Sequence, residues 1–379
     1  MNTFVAHQDD HLRDVIENLL DQADIVINGD RPHDIQVHNP QLYSRIIQEG
    51  SLGLGESYMD GWWDCERLDI FFYKILRAQL DKKIPNNLNN IIRIAIARFR
   101  NFQSKKRAWM VGEEHYDLGN DLFSLMLDPY MQYSCAYWKD ADNLEQAQEH
   151  KLDLICRKLD LKPGMKVLDI GCGWGGLAEY AAKNYQVSVT GITISKEQQK
   201  LAQERCKSLD VNILLTDYRD IYDQFDRVVS IGMFEHVGPK NYDTYFKVVQ
   251  RNLKPNGLFL LHTIGSNSTM LNGDAWTSKY IFPNGCLPSI ENIAHHSSGK
   301  FIMEDWHNFG ADYDLTLSAW HERFLEIWPR IESNYSLRFK RMFTYYLNAC
   351  AGAFRSRNLQ LWQIVLSPEG KDGGIRVPR

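Results

Sequence analysis

A glycine-rich segment, Asp169 to Gly176, has residue types and spacing suited to nucleotide binding. The apolar residues before it predict a buried parallel strand, and the helix predicted from Leu177 to Lys183 would direct free N–H groups towards the turn. Gly171 and Gly173 permit backbone angles that other residues avoid, and they let a ligand approach the main chain closely. An ordinary strand-to-helix turn is the alternative, but four glycines in this arrangement favour nucleotide binding.

The spacing of the glycines narrows the choice of nucleotide. A dinucleotide site requires Gly-x-Gly-x-x-Gly and an acidic residue about 20 positions later, whereas the next predicted strand, Val187 to Ile192, leads into Thr193 with no carboxylate. The Gly-Lys-Ser/Thr sequence of a phosphate-binding loop is also absent. The Asp-x-Gly-x-Gly sequence that begins at Asp169 resembles motif I of methyltransferases that use S-adenosylmethionine (SAM).

Alternating strand and helix patterns follow the glycine segment and predict a doubly wound α/β sheet. Four polar residues lie at or just after the ends of its predicted strands, where ligands bind in such sheets: Thr193, Asp217, Glu235 and His262. Later residues predict an insertion, two further strands and two aromatic-rich helices, Thr316 to Trp328 and Leu337 to Phe354. Core packing is the favoured interpretation of most of those aromatic residues.

Composition places the chain among ordinary folded proteins and limits its partners. It has 379 residues, 44% hydrophobic residues and a formal net charge of −5, so it is not a general polyanion binder and we expect no nucleic acid partner. Neither a secretory signal nor an apolar run long enough for a membrane span is present, so we expect a cytoplasmic protein. An odd number of cysteines without close pairs argues against disulfides and a zinc site. They are Cys65, Cys135, Cys156, Cys172, Cys206, Cys286 and Cys350.

The first part of the chain carries helix and strand signals but no catalytic pattern. Apolar spacing predicts a helix over Leu12 to Leu20, and Ala23 to Asn28 is typical of a short strand. The segment Gly53 to Asp64 is interpreted as a loop because glycines interrupt it. Its adjacent tryptophans, Trp62 and Trp63, are compatible with a surface anchor or with the core.

A basic segment from Arg77 to Arg107 contrasts with the acidic remainder of the chain. Within it, Ile91 to Arg100 mixes isoleucines with arginines in the manner of a basic amphipathic helix. Such a helix favours contact with a membrane surface. The alternative is a solvated helix that covers the neighbouring domain.

Several motifs spread along the chain together resemble the bacterial cyclopropane-fatty-acyl-phospholipid synthases, in the full-length form that has an N-terminal domain. They begin at Gly53 (GLGESYMDGWW), His115 (HYDLGND), Tyr133 (YSCAYW), Gly232 (GMFEHVG) and Tyr345 (YYLNACAGAF). The resemblance extends over essentially the whole chain. It implies a class I SAM-methyltransferase fold, Rossmann-like, with a smaller N-terminal α+β domain.

The resemblance implies a specific reaction. A methylene group passes from SAM to the cis double bond of an acyl chain in a membrane phospholipid. The alkene attacks the sulfonium methyl, which leaves a carbocation, and loss of a proton from the new methyl closes the ring. Such chemistry needs a dry, aligned pocket more than a serine or cysteine nucleophile.

The resemblance also implies site residues. A bound bicarbonate ion would accept the proton, held by Cys135, Glu235, His262, Tyr313 and the backbone near Ile264. SAM would be bound by Tyr133, Ser134, Gly171, Gly173, Thr193, Gln198, Asp217 and Tyr218. Aromatic faces could stabilise the cation, with Tyr137, Tyr313 and Tyr346 as candidates in the substrate pocket.

The same resemblance divides the chain at residue 107. Residues 1–107 would form a lipid-interaction domain with the basic helix as its linker, and residues 108–379 the catalytic domain. We expect a homodimer that associates peripherally with the inner face of the cell membrane. Two alternatives remain open: a SAM methyltransferase with a soluble substrate, whose N-terminal domain only dimerises, and a lipid carrier with a vestigial SAM fold.

Overall fold

The structure, a computed structural model, describes residues 2–80, 83, 120–270 and 273–379. These form two compact units that are discontinuous in sequence. The first comprises the described residues up to 83 together with 273–283 and 317–359, and the second comprises 120–270, 284–316 and 360–379. The functional division at residue 107 stays a prediction, and most of the basic segment lies outside the described residues.

The first unit is largely helical. Its helices are α1 (Asn2–Asp21), α2 (Gln41–Glu49), α3 (Ser51–Met59), α4 (Leu68–Arg77), α10 (Ala275–Tyr280), α13 (Leu337–Arg355) and the greater part of α12 (Ala311–Ile331). Two short antiparallel strands, β1 (Gln36–Val37) and β2 (Trp63–Asp64), accompany them. The unit therefore matches the expected α+β character, and the helix predicted over Leu12 to Leu20 is confirmed within α1.

Two local predictions in this unit are wrong. The segment from Ala23 to Asn28 is not a strand, since only an isolated bridge joins Ile27 to Ile35. The segment from Gly53 is not a loop, because helix α3 runs through it to Met59. Its glycines serve close packing: a Cβ at Gly53 would overlap the carbonyl of Arg45. Tertiary contact therefore outweighs the weak helix propensity of glycine.

Aromatic side chains fill the first unit. Trp63 is completely buried, with its ring centroid 5.1 Å from that of Tyr58 and 5.2 Å from that of Phe71. This decides between the two interpretations of Trp63 in favour of the core. The late aromatic residues are also core, as predicted; the buried ones are Trp320, Phe324, Trp328, Phe343, Tyr345, Tyr346 and Phe354.

In the second unit, seven described strands form one sheet in the order β5-β4-β3-β6-β7-β9-β8. The strands are β3 (Lys166–Ile170), β4 (Ser188–Thr193), β5 (Val211–Leu215), β6 (Phe225–Ile231), β7 (Leu253–Ser266), β8 (Ile302–Asn308) and β9 (Leu359–Ser367). Strands β3 to β7 pair in parallel, and β8 pairs with β9 in the antiparallel direction. The predicted doubly wound sheet is thus confirmed, with its order reversing beside β3.

Helices precede or connect the strands of this sheet, and the helix predicted from Leu177 to Lys183 is confirmed within Gly176–Tyr185. They are α5 (Asn120–Met126), α6 (Leu144–Lys158), α7 (Gly176–Tyr185), α8 (Lys196–Cys206), α9 (Tyr242–Asn252) and α11 (Ile290–Ser297), followed by the first turns of α12. Ser195 caps α8 by accepting from the Gln198 amide. A full capping box is not formed here, because the Gln198 side chain accepts from Thr193 and the Ser195 amide donates to the Thr193 hydroxyl.

The apolar residues of the sheet are buried in two main clusters. One contains Leu168, Ile170, Phe259 and aromatic residues of α9, and the other contains Val167, Val189, Leu260 and residues of α6 and α7. Alternate residues of β3 thus belong to different clusters, as expected for a sheet with helices on both faces. Among the described helices, none has the length and apolar character needed to cross a membrane.

Candidate active site

The glycine segment forms a tight turn between β3 and α7. Gly171, Gly173 and Gly175 all have positive φ angles, of 85°, 54° and 81°. A Cβ at Gly171 would lie 2.9 Å from Met233, whereas a Cβ at Gly173 would have no atom of the described residues within 4 Å. The turn is therefore closely packed at its start and open at Gly173, as a ligand-binding turn would require.

A second loop, residues 128 to 136, packs against this turn. A Cβ at Gly176 would overlap the carbonyl of Tyr130, so glycine is required for the two segments to meet. The ring of Phe123 on α5 joins them from the side, with centroids 4.9 Å from Tyr133 and 5.3 Å from Trp174. Tyr133 and Ser134 therefore share one region with the glycine turn, as predicted.

Buried polar side chains hold this loop. The carboxylate of Asp128 accepts from the amides of Tyr130 and Gln132, both at 2.8 Å. From α6, Gln148 donates to the carbonyl of Ser134 at 2.9 Å, and the Lys151 ammonium lies 2.9 Å from Ser134 Oγ. The loop is thus fixed through both main chain and side chain.

The residues expected at the ribose and adenine follow β4 and β5. The hydroxyl of Thr193 donates to Gln198 Oε1 at 2.8 Å, which fixes the Gln198 amide. The Asp217 carboxylate receives the guanidinium of Arg219 through two hydrogen bonds, of 2.7 and 2.8 Å. It also accepts from the Arg219 amide at 2.9 Å. Tyr218 is buried beside it. Asp217 is therefore oriented by its neighbour, a partner that sequence reasoning did not anticipate.

Glu235 lies in a short 3-10 turn after β6 and is fully enclosed. Its Oε1 accepts from the Ile264 amide at 2.7 Å, and its Oε2 has no partner among the described residues. Burial raises the pKa of Glu235 from 4.5 to about 7, although the Ile264 amide and the Thr263 side chain act in the opposite direction. The Ile264 amide, which was expected to hold the bicarbonate ion, thus donates to Glu235 in this structure, and the role of both groups in binding the ion stays a prediction.

His262 is paired in register with the end of β6 and is also completely buried. Gln363 Nε2 lies 3.2 Å from its Nδ1, and its Nε2 has no partner in the described structure. In this orientation of the amide, Nδ1 accepts and Nε2 carries the proton. Burial lowers the pKa of His262 well below its ordinary value, so the ring is neutral and offers one unused donor.

Cys135 is buried in the loop that holds Ser134. Its thiol donates to the Ala136 carbonyl at 3.2 Å. Burial raises the pKa of Cys135 well above its ordinary value. The charge of Asp312 raises the pKa further, and the hydrogen bond with the Thr316 side chain lowers it. The thiol therefore stays protonated, which suits a hydrogen-bond donor and not a nucleophile.

Within the second unit, aromatic rings contact His262 and one another. The ring of Phe309 has its centroid 5.9 Å from that of His262 and 5.4 Å from that of Tyr137. Tyr313 is buried in the first turn of α12. Tyr346 belongs to the first unit, where its ring contacts Phe282 and Phe343, and its place in the substrate pocket stays a prediction.

The second unit thus combines a glycine turn suited to a nucleotide with buried polar atoms that lack partners. Sequence reasoning missed Lys151, Gln148 and Gln363. A signal existed for the first two, because Leu144, Gln148, Lys151 and Ile155 follow one helical stripe and place polar residues at core-facing positions. Gln363 stands in an apolar strand with no such pattern around it.

Comparisons with known proteins agree with this geometry. Residues 103–364 match the model of the mycolic acid cyclopropane synthetase family. The chain is 69% identical to the cyclopropane-fatty-acyl-phospholipid synthase of Escherichia coli K12 over 375 residues. This match covers 99% of this chain and 98% of that protein.

Solved structures resemble about two thirds of this chain. The cyclopropane synthase MmaA2 of Mycobacterium tuberculosis is 33% identical, with a TM-score of 0.64 over 68% of this chain and 97% of the other. Mycolic acid cyclopropane synthase CmaA1, complexed with SAH and CTAB, is 33% identical, with a TM-score of 0.63 over 68% and 97%. The expected class I SAM-methyltransferase fold is confirmed. The chain belongs to the mycolic acid cyclopropane synthetase family.

Proposed function

We propose that this protein transfers a methylene group from SAM to the cis double bond of unsaturated acyl chains in membrane phospholipids, forming a cyclopropane ring. The activity follows from family membership and from 69% identity to an enzyme of that name. The finer proposal is that a bicarbonate ion, held in the second unit, accepts the proton lost as the ring closes.

Two of the buried polar atoms that have no partner among the described residues of the second unit carry the finer proposal. Glu235 Oε2 offers an unused acceptor, and His262 Nε2 offers an unused donor. Buried polar atoms without partners are costly, so a ligand with both an acceptor and a donor would satisfy them. Bicarbonate fits, because its oxygens accept and its hydroxyl donates. When bound, it would supply a base beside the methyl group.

The residues of this chain would hold and orient that ion. The neutral ring of His262 and the phenol of Tyr313 can donate to an anion, and the Cys135 thiol could do so by giving up its hydrogen bond to the Ala136 carbonyl. Glu235 must be ionised to accept the hydroxyl proton, and its raised pKa of about 7 makes this possible only near and above neutral pH. Tyr137 and Tyr313, both in the second unit, are proposed to line the acyl pocket and face the developing cation.

SAM is proposed to bind along the carboxyl ends of β3 to β5. The open side of Gly173 leaves room for the cofactor, with Gly171 beneath it and Tyr133 and Ser134 at the methionine end. Thr193 acts through Gln198 at the ribose, and Asp217 with Tyr218 acts at the adenine. CmaA1 was solved in complex with SAH, which is what remains of SAM after the methyl group leaves, and this supports SAM as the cofactor.

The substrate also implies where the protein works. Because its acyl chains lie in a bilayer, we propose that residues 1–107 and their basic segment contact the lipid surface. The protein would act as a homodimer at the inner face of the cell membrane. Attraction of basic residues to anionic lipids would supply roughly 1 kcal/mol for each residue near the surface.

The direct test incubates the protein with SAM and vesicles of unsaturated phospholipid, with and without bicarbonate, and analyses the lipids by mass spectrometry. We expect a gain of about 14 mass units, as one CH₂ is added, together with loss of the double bond. Glu235→Gln should lower turnover by roughly 100-fold or more while it still binds SAH.

Other outcomes would be decisive against parts of the proposal. The same mass gain with the alkene retained would mean plain methyl transfer without ring closure. Ring formation that is unaffected by removal of bicarbonate would eliminate the ion as base. No lipid product from protein that binds SAM would point to a soluble substrate.

A further inference from the structure

Lys151 is a charged side chain that is completely buried in the second unit, on the inner face of α6. Its ammonium lies 2.5 Å from Gln132 Oε1 and 2.9 Å from Ser134 Oγ. Both partners belong to the loop that packs against the glycine turn. A buried lysine is rare because the charged form is poorly solvated there, so its retention at this position calls for an explanation.

The main chain of that loop is held without Lys151. Gln148 donates to the carbonyls of Gln132 and Ser134, at 3.3 and 2.9 Å, and Asp128 holds the preceding amides. Lys151 therefore adds hydrogen bonds only to side chains of the loop, those of Gln132 and Ser134. It decides how the Ser134 hydroxyl and the Gln132 amide are oriented.

The direction of the hydrogen bond to Ser134 follows from chemistry. An ammonium group can only donate, so Ser134 Oγ must accept from it. The hydroxyl proton of Ser134 is then directed elsewhere and is available to donate. A serine in this state presents a donor of fixed orientation, which suits an anionic oxygen of a ligand.

We infer that Lys151 is a positioning residue for SAM, acting through Ser134. By fixing Ser134 as a donor, it would set the hydrogen bond to the carboxylate at the methionine end of the cofactor. This inference rests on the proposed function, which assigns Ser134 to that end of SAM.

The charge of Lys151 reaches other groups of the site as well. It opposes the burial that raises the pKa of Asp169 to about 7, and it also acts on Cys135 and His262. Burial lowers the pKa of Lys151 itself to about 8, with the charge of Asp128 acting in the opposite direction. The ammonium is thus largely charged at neutral pH, as a donor to Ser134 must be.

The test compares two ligands by calorimetry on the full chain: SAH, and 5′-methylthioadenosine, which lacks the amino-acid carboxylate and amine. Lys151→Met removes the donor and the charge while keeping a long side chain, and Ser134→Ala removes the hydroxyl. Each should weaken SAH binding by about tenfold or more, as for a lost hydrogen bond to a charged group. Binding of methylthioadenosine should change by less than about twofold in both variants.

The double variant Lys151→Met, Ser134→Ala should bind SAH no more weakly than Ser134→Ala alone, because Lys151 acts through that hydroxyl. Lys151→Arg, which still donates, should keep the ratio of the two affinities near that of the natural protein. If Lys151→Met does not fold, the affinities of Lys151→Arg for the two ligands are measured in its place. Lys158→Met is the matched control, since Lys158 is a buried lysine on the same helix that contacts His307 at 3.0 Å.

Equal loss of both ligands in Lys151→Met would mean a merely structural role and would overturn the inference. If the two substitutions lower SAH affinity additively in the double variant, the inference is also overturned. If Ser134→Ala weakens SAH but Lys151→Met does not, only the inference fails. If Ser134→Ala leaves SAH binding unchanged, the proposed assignment of Ser134 itself fails.

Discussion

Glu235 and His262 have opposite pKa shifts with one common cause, the removal of water. Burial raises the pKa of the carboxyl and lowers that of the imidazole, so both groups favour their neutral forms. Enclosing two polar groups in a core, one neutral and one only partly ionised at neutral pH, lowers the stability of the folded protein. Their presence is better explained by a ligand that uses them.

The free energy of unfolding should report the burial of Glu235. A carboxyl whose pKa rises from 4.5 to about 7 on folding binds its proton more tightly in the folded protein. Its contribution therefore destabilises the folded state progressively as pH rises through that window. Glu235→Gln, which keeps an acceptor for the Ile264 amide, should gain stability relative to the natural protein between pH 5 and 7.5. The expected gain is on the order of 1–3 kcal/mol.

Denaturant unfolding of both proteins at the two pH values measures this difference. Glu197→Gln, at an exposed position on α8, is the control and should show no comparable pH-dependent gain. A difference between Glu235→Gln and the natural protein that is constant with pH would mean that Glu235 is ionised throughout. It would then be unsuited to gain or lose a proton near neutral pH.

At the scale of elements, the glycine turn has one open position among packed ones. The open position, Gly173, has a φ of 54°, and no atom of the described part of the chain lies within 4 Å of an added Cβ. Gly164, in the turn before β3, is equally open but has a φ of 83° and no predicted role. Substitutions at these two glycines therefore distinguish the effect of backbone conformation on stability from the effect of an added side chain on cofactor binding.

Gly173→Ala should reduce SAH affinity by about tenfold or more, because its Cβ would occupy space proposed for the cofactor. Gly164→Ala should leave SAH affinity unchanged. Both variants should lose roughly 1–2 kcal/mol of stability from the left-handed backbone conformation. Calorimetry with SAH and denaturant unfolding provide the two readouts. Unchanged SAH binding in Gly173→Ala would show that the turn does not contact the cofactor.

At the scale of the whole molecule, the charge distribution bears on how a bilayer substrate is reached. The net charge is −5, yet the segment from Arg77 to Arg107 is strongly basic. An acidic protein would be repelled by anionic lipids unless such a segment faced them. We therefore predict that this segment makes the first contact with the membrane.

Replacement of Arg93, Arg98 and Arg100 by glutamine should weaken binding to anionic vesicles by roughly 100-fold, at about 1 kcal/mol for each charge. Binding should also become less sensitive to salt. Sedimentation with anionic and with zwitterionic vesicles at two salt concentrations measures both effects. The control neutralises three exposed lysines elsewhere, Lys183, Lys196 and Lys207. An equal loss of binding in that control would mean that total charge, and not this segment, directs the protein to lipid.

Much of the fold was predictable from local pattern. The strand, glycine turn and helix around Gly171 each follow from apolar periodicity and backbone freedom, which depend on neighbouring residues. The strands from β3 to β7 were predictable for the same reason. The motifs that resemble the family also lie in short continuous runs, so the amino-acid sequence was sufficient to infer the activity.

Tertiary structure alone decided what depends on distant residues. The glycines of α3 suggested a loop because propensity is local, whereas the packing of Gly53 against Arg45 favours a helix. The pairing of His262 with Gln363, and the unused atom on each of Glu235 and His262, arise between residues far apart in the chain. A pKa depends on burial and on charges brought near by folding, so the ionisation of this site belongs to the folded protein.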